Sequence, residues 1–452
     1  MERLTKLIKL LKVGDLAVRR NPLFYNEVSN AFTAADAADL AGQREWTRAR
    51  LHEVLWNARR SAYGRRVRGT EDPNTWPLLT KDAVRAAPHA FHAGSTLLTV
   101  KASTGGTSGS PLPLVRSLRS IVAEQVCLDR MQQLLGLDGR QSRAAVLRTD
   151  SIKDPNDFGP PYWVHAAGGR RLVFSSYHLN AATLPAYITA LREFRPDVLL
   201  GYPTSLDALC TLLERADQSV HIPRVICSSE VLHEQTWSLA RQRLDCALLD
   251  YYGQAERVAF AYATAPASYR FLPGYGQVEL VHRERIGEDS LYEIVGTSLW
   301  NLSMPLVRYC TGDLVRVPAS WGAAELEELV LGLRTFSGVL GRDSDILVSP
   351  EGVKITGLSH FHRNVAHLHR VQIIQESLSQ VRIKAITTAG FSTRDEEHYL
   401  SNVRDKLPRS MAVAFEQVES LERTALGKTP FVIHRPPVKD HLRASTQQRG
   451  RA

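Results

Sequence analysis

"KASTGGTSGSPLPL" occupies Lys101 to Leu114, and whether it is a P-loop decides which kind of α/β fold the chain can have. Three glycines stand among two threonines and three serines. A Walker loop needs Gly-x-x-x-x-Gly-Lys-Ser/Thr. Counting from Gly105 puts Ser110 where the second glycine belongs, and no lysine follows, so the P-loop is set aside. Successive backbone N–H groups in a Gly-rich turn, with hydroxyls beside them, still form an anion-binding concavity. A solvated linker has the same composition, so the loop must be weighed with the rest of the chain.

At 452 residues the chain exceeds one ordinary core, which sets the expectation of a large domain plus a smaller one. With 44% hydrophobic and 23% charged residues it has a soluble globular profile. No run nears the roughly 18 apolar residues of a membrane span, so no stable membrane insertion is expected. Lys6, Lys9 and Lys12 interrupt the N-terminus, which does not read as a cleavable signal. Leu4, Leu7, Ile8 and Leu11 make one helical face, suited to packing on its own domain or lying on a membrane surface. Five cysteines, odd in number and without CxxC spacing, suggest a reduced cytoplasmic protein with no disulfide framework or zinc site. The net charge of +9 favours polyanionic partners such as nucleotides, coenzyme A or an acidic carrier protein. It is spread along the chain without a basic, aromatic-interleaved stripe, which argues against nucleic acid.

From about residue 120 to 300 helical patterns such as "SIVAEQVCLDRMQQLL" and "LPAYITALREF" alternate with the short apolar runs "AAVLR", "DVLLGY", "RVICSS" and "ALLDYYG". That order predicts an α/β fold with ligands near the carboxyl ends of the strands. Helices are expected over about 44–60 and after a Thr80 cap. The segment 277–300 turns to antiparallel strands, and "FSGVLGRDSDILVSPEGVKI" reads as a hairpin turning at Gly352. Two further strands and a helix over about Thr393 to Lys406 complete a small α+β domain. The expected division is 1–343, 344–436 and a loose basic tail, 437–452.

Four downstream stretches carry chemistry: "DYYGQAER" (Asp250–Arg257), "VRYCTGDLVRV" (Val307–Val317), "LGRDSDILVSPEG" (Leu340–Gly352) and "LERTALGKTPFVI" (Leu421–Ile433). Alone, each has a plain structural explanation: Tyr252 as a core aromatic, Glu256 as a surface acid, Asp313 as a turn former, Arg342 as a surface ion pair, Lys428 as a solvated lysine. In this order, with "WPLLTK" and "LLGYPTSL", they resemble the core motifs of the adenylate-forming superfamily of acyl- and aryl-CoA synthetases. The look is closest to the phenylacetate–CoA ligase-like branch, with its capsular-polysaccharide-type relatives. The resemblance spans about residues 20 to 433.

The resemblance implies a large N-terminal α/β domain with mixed sheets, a small mobile α+β C-terminal domain, and a two-step reaction. A carboxylate attacks the α-phosphate of ATP, and a thiol then displaces AMP. Ser103, Thr104, Gly105, Gly106, Thr107 and Ser108 would embrace the phosphates. Tyr252 would offer its ring to adenine, Gly253 would let the backbone approach, and Asp313 and Arg342 would hold the nucleotide. Glu256 would bind Mg²⁺. Lys428 would neutralise charge that builds in the adenylation transition state, and the small domain would pivot near Ser344 and Asp345. The chain departs from the pattern at Ser110, often lysine, at Ala255, usually Thr or Ser, and at Ser344, often Asp.

The acyl pocket would draw on Tyr162, Trp163, Tyr202, Ser229, Glu230 and Tyr251, whose aromatic content suits an aryl acid. The acceptor would be coenzyme A or the phosphopantetheine arm of an acyl carrier protein. An amine acceptor and a catalytically silent scaffold are the rival readings.

Overall fold

The computed structural model describes residues 18–67, 71–94, 99–104, 112–139, 141–148, 152–154, 157–232, 234–286, 288–340, 347–355, 358, 361, 365, 367–387, 390–419, 421–422 and 431–438. The N-terminal helix face and almost all of the basic tail fall outside them.

Two helices open the described chain. In α1 (Pro22–Ala37) the Asn21 side chain accepts from the Leu23 N–H and Pro22 pre-sets the first turn. Asp39 caps α2 (Leu40–Ala58) in the same way. Thr80 caps α3 (Lys81–Ala86), as the sequence led us to expect. A hairpin follows, β1 (Thr99–Ser103) against β2 (Pro113–Ser117), and then α4 (Leu118–Leu134), capped by Ser117.

The central sheet is built from β3 (Ala144–Arg148), β4 (Trp163–Ala166), β5 (Arg171–Ser175), β6 (Val198–Gly201), β7 (Arg224–Ser228), β8 (Ala247–Gly253), β9 (Phe260–Ala263) and β10 (Arg270–Phe271). Its order is β10-β9-β8-β7-β6-β3-β5-β4, with β8, β7, β6, β3 and β5 parallel. Helices α5 (Leu184–Phe194), α6 (Pro203–Arg215) and α7 (Glu234–Leu244) cover one face, while α1, α2 and α4 cover the other. Covering both faces explains why "AAVLR" and "RVICS" are continuous apolar runs rather than alternating ones. The chain reverses direction across the sheet at β3, which has β5 on one side and β6 on the other. In open α/β sheets, ligands sit outside the carboxyl ends of strands at such a reversal.

A second, antiparallel sheet holds β11 (Gly276–Ile286), β12 (Asp289–Ser298), β13 (Tyr309–Pro318) and β14 (Val339–Leu340), with α8 (Ala323–Val330) before its last strand. The next hairpin, β15 (Leu347–Val348) and β16 (Lys354–Ile355), turns at Gly352, whose φ of +79° glycine adopts freely. The last sheet, in the order β19-β18-β17-β20, combines β17 (Leu368–Ser377), β18 (Gln380–Thr387), β19 (Ala412–Gln417) and β20 (Val432–His434). Helix α9 (Thr393–Arg404) packs there through Tyr399 and Val403, and its capping box joins Ser392 to Asp395. This core, from Leu347 to Val432, is separate from the two that flank the central sheet.

Candidate active site

The glycine-rich loop hangs from the β1–β2 hairpin, and its root is rigid. Thr104, 6% exposed, donates its N–H to the Leu112 carbonyl at 3.1 Å and accepts the Leu112 N–H on Oγ1 at 2.9 Å. The Thr104 hydroxyl therefore fastens the loop's two ends together. Ser103 is exposed at the last position of β1. Gly105, Gly106, Thr107 and Ser108 lie outside the described residues.

The hairpin packs on the turn that follows β8. Leu112 and Leu114 share a core with Val258 and Tyr309, and Ala255 packs against it. Within that turn Glu256, 8% exposed, accepts the Tyr309 phenol at 2.7 Å. The Val258 carbonyl is pressed into the second sheet. A Cβ on Gly276 would lie 2.0 Å from its oxygen, and one on Gly296 2.6 Å, so only glycine permits the approach.

Asp313 is aimed by a bulge. In the pairing of β12 with β13, Glu293 opposes Leu314 while Val295 opposes Cys310, which leaves Thr311, Gly312 and Asp313 facing Ile294 alone. Bulges of this kind redirect side chains. Gly312 supplies the φ of +77° and donates its N–H to Glu293 Oε1 at 2.9 Å. Thr311 Oγ1 donates to the Ile294 carbonyl at 2.7 Å and accepts the Asp313 N–H at 3.1 Å. Glu293 is in turn ion-paired with Arg283. So held, Asp313 accepts the Tyr252 phenol on Oδ2 at 2.7 Å. Burial and the Asp313 charge push that phenol well above its ordinary value. Two residues 61 positions apart, both expected at a nucleotide, thus meet. At Gly253 a Cβ would make only ordinary contact with the Phe260 ring, at 3.5 Å, so the fold itself does not demand glycine there.

The acyl-pocket candidates divide. Ser228 and Tyr251 are register partners, and the pairings of β3 with β6 and of β6 with β7 extend that row through Tyr202 to Arg148. Ser229, at φ +75°, and Glu230 continue the same rim. Because alternate residues of a strand face opposite ways, Tyr251 packs toward the α4 side and Tyr252 toward the α6 side. Tyr162 and Trp163 do not join the row. They stand at β4, the outermost strand, five spacings or about 24 Å from β8. The Tyr162 ring stacks on Tyr187 and His178, and Trp163 packs on Phe174 and Tyr187. Their aromaticity serves that core.

Three residues join the site that the sequence reading passed over. Arg116 on β2 donates Nη2 to the Ala255 carbonyl at 2.7 Å, and its Nε is buried without a partner. Burial and then Arg257 lower its pKa to about 10, against the pull of Glu124, Tyr275 and Glu256. It brings a cation beside the turn that holds Ala255 and Glu256. Gln254, inside the quoted "YYGQ", has both carboxamide atoms buried with no protein partner among the described residues. Arg148 ends β3, its guanidinium 5.6 Å from the Tyr202 ring centre. Only the position of Arg148 at the end of "AAVLR" could have marked it from sequence. Arg342, Ser344, Asp345 and Lys428 lie outside the described residues.

The donor set fits a magnesium nucleotide. The carboxamide of Gln254, the bulge-borne carboxylate of Asp313 and the single carboxylate of Glu256 lie around Tyr252 and the turn that follows it. Mg²⁺ suits such a site, because it takes one or two carboxylates and completes its shell with phosphates and water.

Comparison with known proteins bears on the fold. Residues 347–435 match the family model of the CapK C-terminal domain. The protein CapK of Staphylococcus aureus is 20% identical over 380 residues, 80% of each chain. Phenylacetate–coenzyme A ligase of Pseudomonas putida is 24% identical over 191 residues, 40% of this chain and 42% of its own. Among solved structures, 2-hydroxyisobutyryl-CoA ligase, in complex with 2-HIB-AMP and CoA in its thioesterification state, superposes with a TM-score of 0.51 at 15% identity. That match covers 90% of this chain and 93% of the other. The fold is that of the adenylate-forming ligases, and the resemblance read from the sequence holds. No helix among the described residues is long and apolar enough to cross a membrane.

Proposed function

We propose that this chain activates a carboxylic acid with ATP, forming an acyl-adenylate and pyrophosphate, and then passes the acyl group to a thiol. The observation that carries the reading is the Tyr252–Asp313 hydrogen bond, set beside Glu256 and the fastened hairpin root. In this reading the Asp313 carboxylate accepts the ribose hydroxyls, for which ionised oxygen is the fitting acceptor. The Tyr252 ring, held by its own phenol, lies flat against adenine. Gln254 finds its missing partners on the ligand. Thr104 and its neighbours donate to the terminal phosphates, and Arg116 adds positive potential behind them. Mg²⁺ held at Glu256 supplies charge neutralisation on the phosphates.

Lys428 would approach the reacting carboxylate and α-phosphate, with the division between the domains at residue 344 and the pivot at Ser344 and Asp345. Charge placed where it develops in the transition state is worth several kcal/mol. An aryl acid remains our preferred substrate on the strength of Tyr202 and Tyr251 alone. The proposed acceptor is coenzyme A or a carrier-borne phosphopantetheine, in a cytoplasmic setting.

The test is ATP–pyrophosphate exchange across a panel of aryl, fatty and hydroxy acids, with wild type and Asp313→Ala. Exchange that requires one acid and Mg²⁺, with the ATP KM raised at least tenfold in the variant, supports the reading. A folded protein that binds ATP tightly but exchanges with no acid would instead favour the silent scaffold.

A further inference from the structure

We propose that Arg148 anchors a second anion subsite, so that the acid activated here carries a second anionic group distal to its reacting carboxyl. The inference rests on the acid-activating reading above and names the class of acid.

Arg148 is the last residue of β3, the strand at which the chain reverses direction across the sheet. It therefore stands where a ligand crevice forms in open α/β sheets. The pairings Leu147 with Gly201, Gly201 with Cys227 and Ser228 with Tyr251 place Arg148, Tyr202, Ser228 and Tyr251 in one cross-strand row. The Arg148 charge is felt along that row. It pulls the Tyr251 phenol and the Cys227 thiol downward, against the burial that raises both.

Among the described residues no acid answers this charge. Arg148 is half-buried, its Nε is shielded from solvent without an acceptor, and it has no ion pair among the described residues. Its guanidinium rests over the Tyr202 ring, a contact that orients the planar fork without neutralising it. Arg20, Arg130 and Arg308, by contrast, are matched by Asp129, Asp36 and Glu279. Glu230 is on the same rim and helps raise Asp250 and Cys227, but forms no ion pair with Arg148. A guanidinium fork withdrawn from water without an acid beside it is costly, and it is shaped for a carboxylate or phosphate-type anion.

The geometry also sets a length. The reacting carboxyl belongs at the end of β8, and three strand spacings of about 4.8 Å separate it from β3, roughly 14 Å. The arginine side chain shortens that span. An acid with a ring or a short chain between two anionic ends fits the row, with Tyr202 and Tyr251 flanking its middle.

Matched acids test this with the full-length protein: phenylacetate against 4-carboxyphenylacetate and 4-phosphonophenylacetate, and octanoate against suberate. Two readouts are used, pyrophosphate exchange and calorimetric binding of the acids without ATP. We expect the doubly anionic acids to show KM and Kd at least tenfold lower than their singly charged counterparts. Arg148→Gln should erase that preference through KM, with kcat within about threefold, and Arg148→Lys should restore part of it. The carboxylate and phosphonate arms distinguish the two anions. Equal KM and Kd for both classes in the wild type, or an Arg148→Gln variant that keeps the preference, overturns the subsite. If no acid supports exchange while diacid binding still depends on Arg148, the subsite stands and the adenylation reading falls.

Discussion

Replacing Asp250 with asparagine probes the electrostatics beneath the rim of the site. Asp250 is 3% exposed in β8, with Oδ2 accepting the Tyr269 phenol at 2.5 Å and Oδ1 buried without a partner among the described residues. Burial pushes its carboxyl up to about 7, against the Tyr269 hydrogen bond and the Tyr251 backbone N–H and with help from Glu230. An unfolded aspartate titrates near 3.9. Between about pH 4 and 7 the folded state therefore keeps a proton that the unfolded chain has released. Stability falls as pH rises through that window, because the unfolded state binds fewer protons there. A gap of roughly 3 units at 1.36 kcal/mol each makes about 4 kcal/mol the ceiling on the loss by pH 8. Asp250→Asn cannot ionise and keeps an acceptor for Tyr269, but buries an amide N–H₂ in place of Oδ1, which costs about 1–3 kcal/mol. Urea unfolding of both proteins at pH 5 and pH 8 should show the variant weaker at pH 5 by up to about 1–3 kcal/mol. By pH 8 its stability relative to wild type should have risen by about 2–3 kcal/mol, because only about two of those units lie above pH 5. Curves that stay parallel from pH 5 to 8 would refute the buried, proton-holding carboxyl.

Three further outcomes follow from the geometry. Arg116→Met should raise the KM for ATP and for pyrophosphate about tenfold while leaving the KM for the acid unchanged, as exchange kinetics will show, because its cation serves the phosphate side of the site. Gly276→Ala should destabilise the large domain by about 3 kcal/mol or more in urea unfolding, since its Cβ meets the Val258 carbonyl at 2.0 Å and backbone cannot yield cheaply. Burial raises all five thiols, with Glu293 adding to it at Cys310, but Cys127, Cys210, Cys227 and Cys246 are buried whereas Cys310 is half-buried and reachable from solvent. At pH 8 an aromatic disulfide reagent should therefore label Cys310 alone within minutes, and all five after denaturation.

The parts of the fold that were legible share one property, a local pattern that matched its tertiary role. "AAVLR", "ALLDYYG" and "LPAYITALREF" are the strands and helix they appeared to be in the sequence, because two-sided burial or a single apolar face writes itself into consecutive residues. Helix α1 was missed although Asn21-Pro22 is a start signal, because its buried face is only Val28, Phe32 and Ala35. The site divides in the same way. Tyr252, Glu256 and Asp313 were found through motif order, yet their convergence depends on a bulge and on two glycines against Val258, which no local pattern announces. Tyr162 and Trp163 were assigned through the resemblance and their aromatic character, and strand order places them at the far edge of the sheet from β8. Arg116 was invisible and Arg148 was marked only by its place at the end of "AAVLR", because an arginine without an ion pair is recognised only once its surroundings are known.

The central claim is that the acid's own oxygen attacks the α-phosphate, and isotope transfer reads that bond directly. Acid labelled with ¹⁸O in its carboxyl group, turned over with ATP and a thiol, should yield AMP carrying one ¹⁸O atom, with none in pyrophosphate. Label appearing in inorganic phosphate with ADP as the product, or AMP released without label, would contradict it.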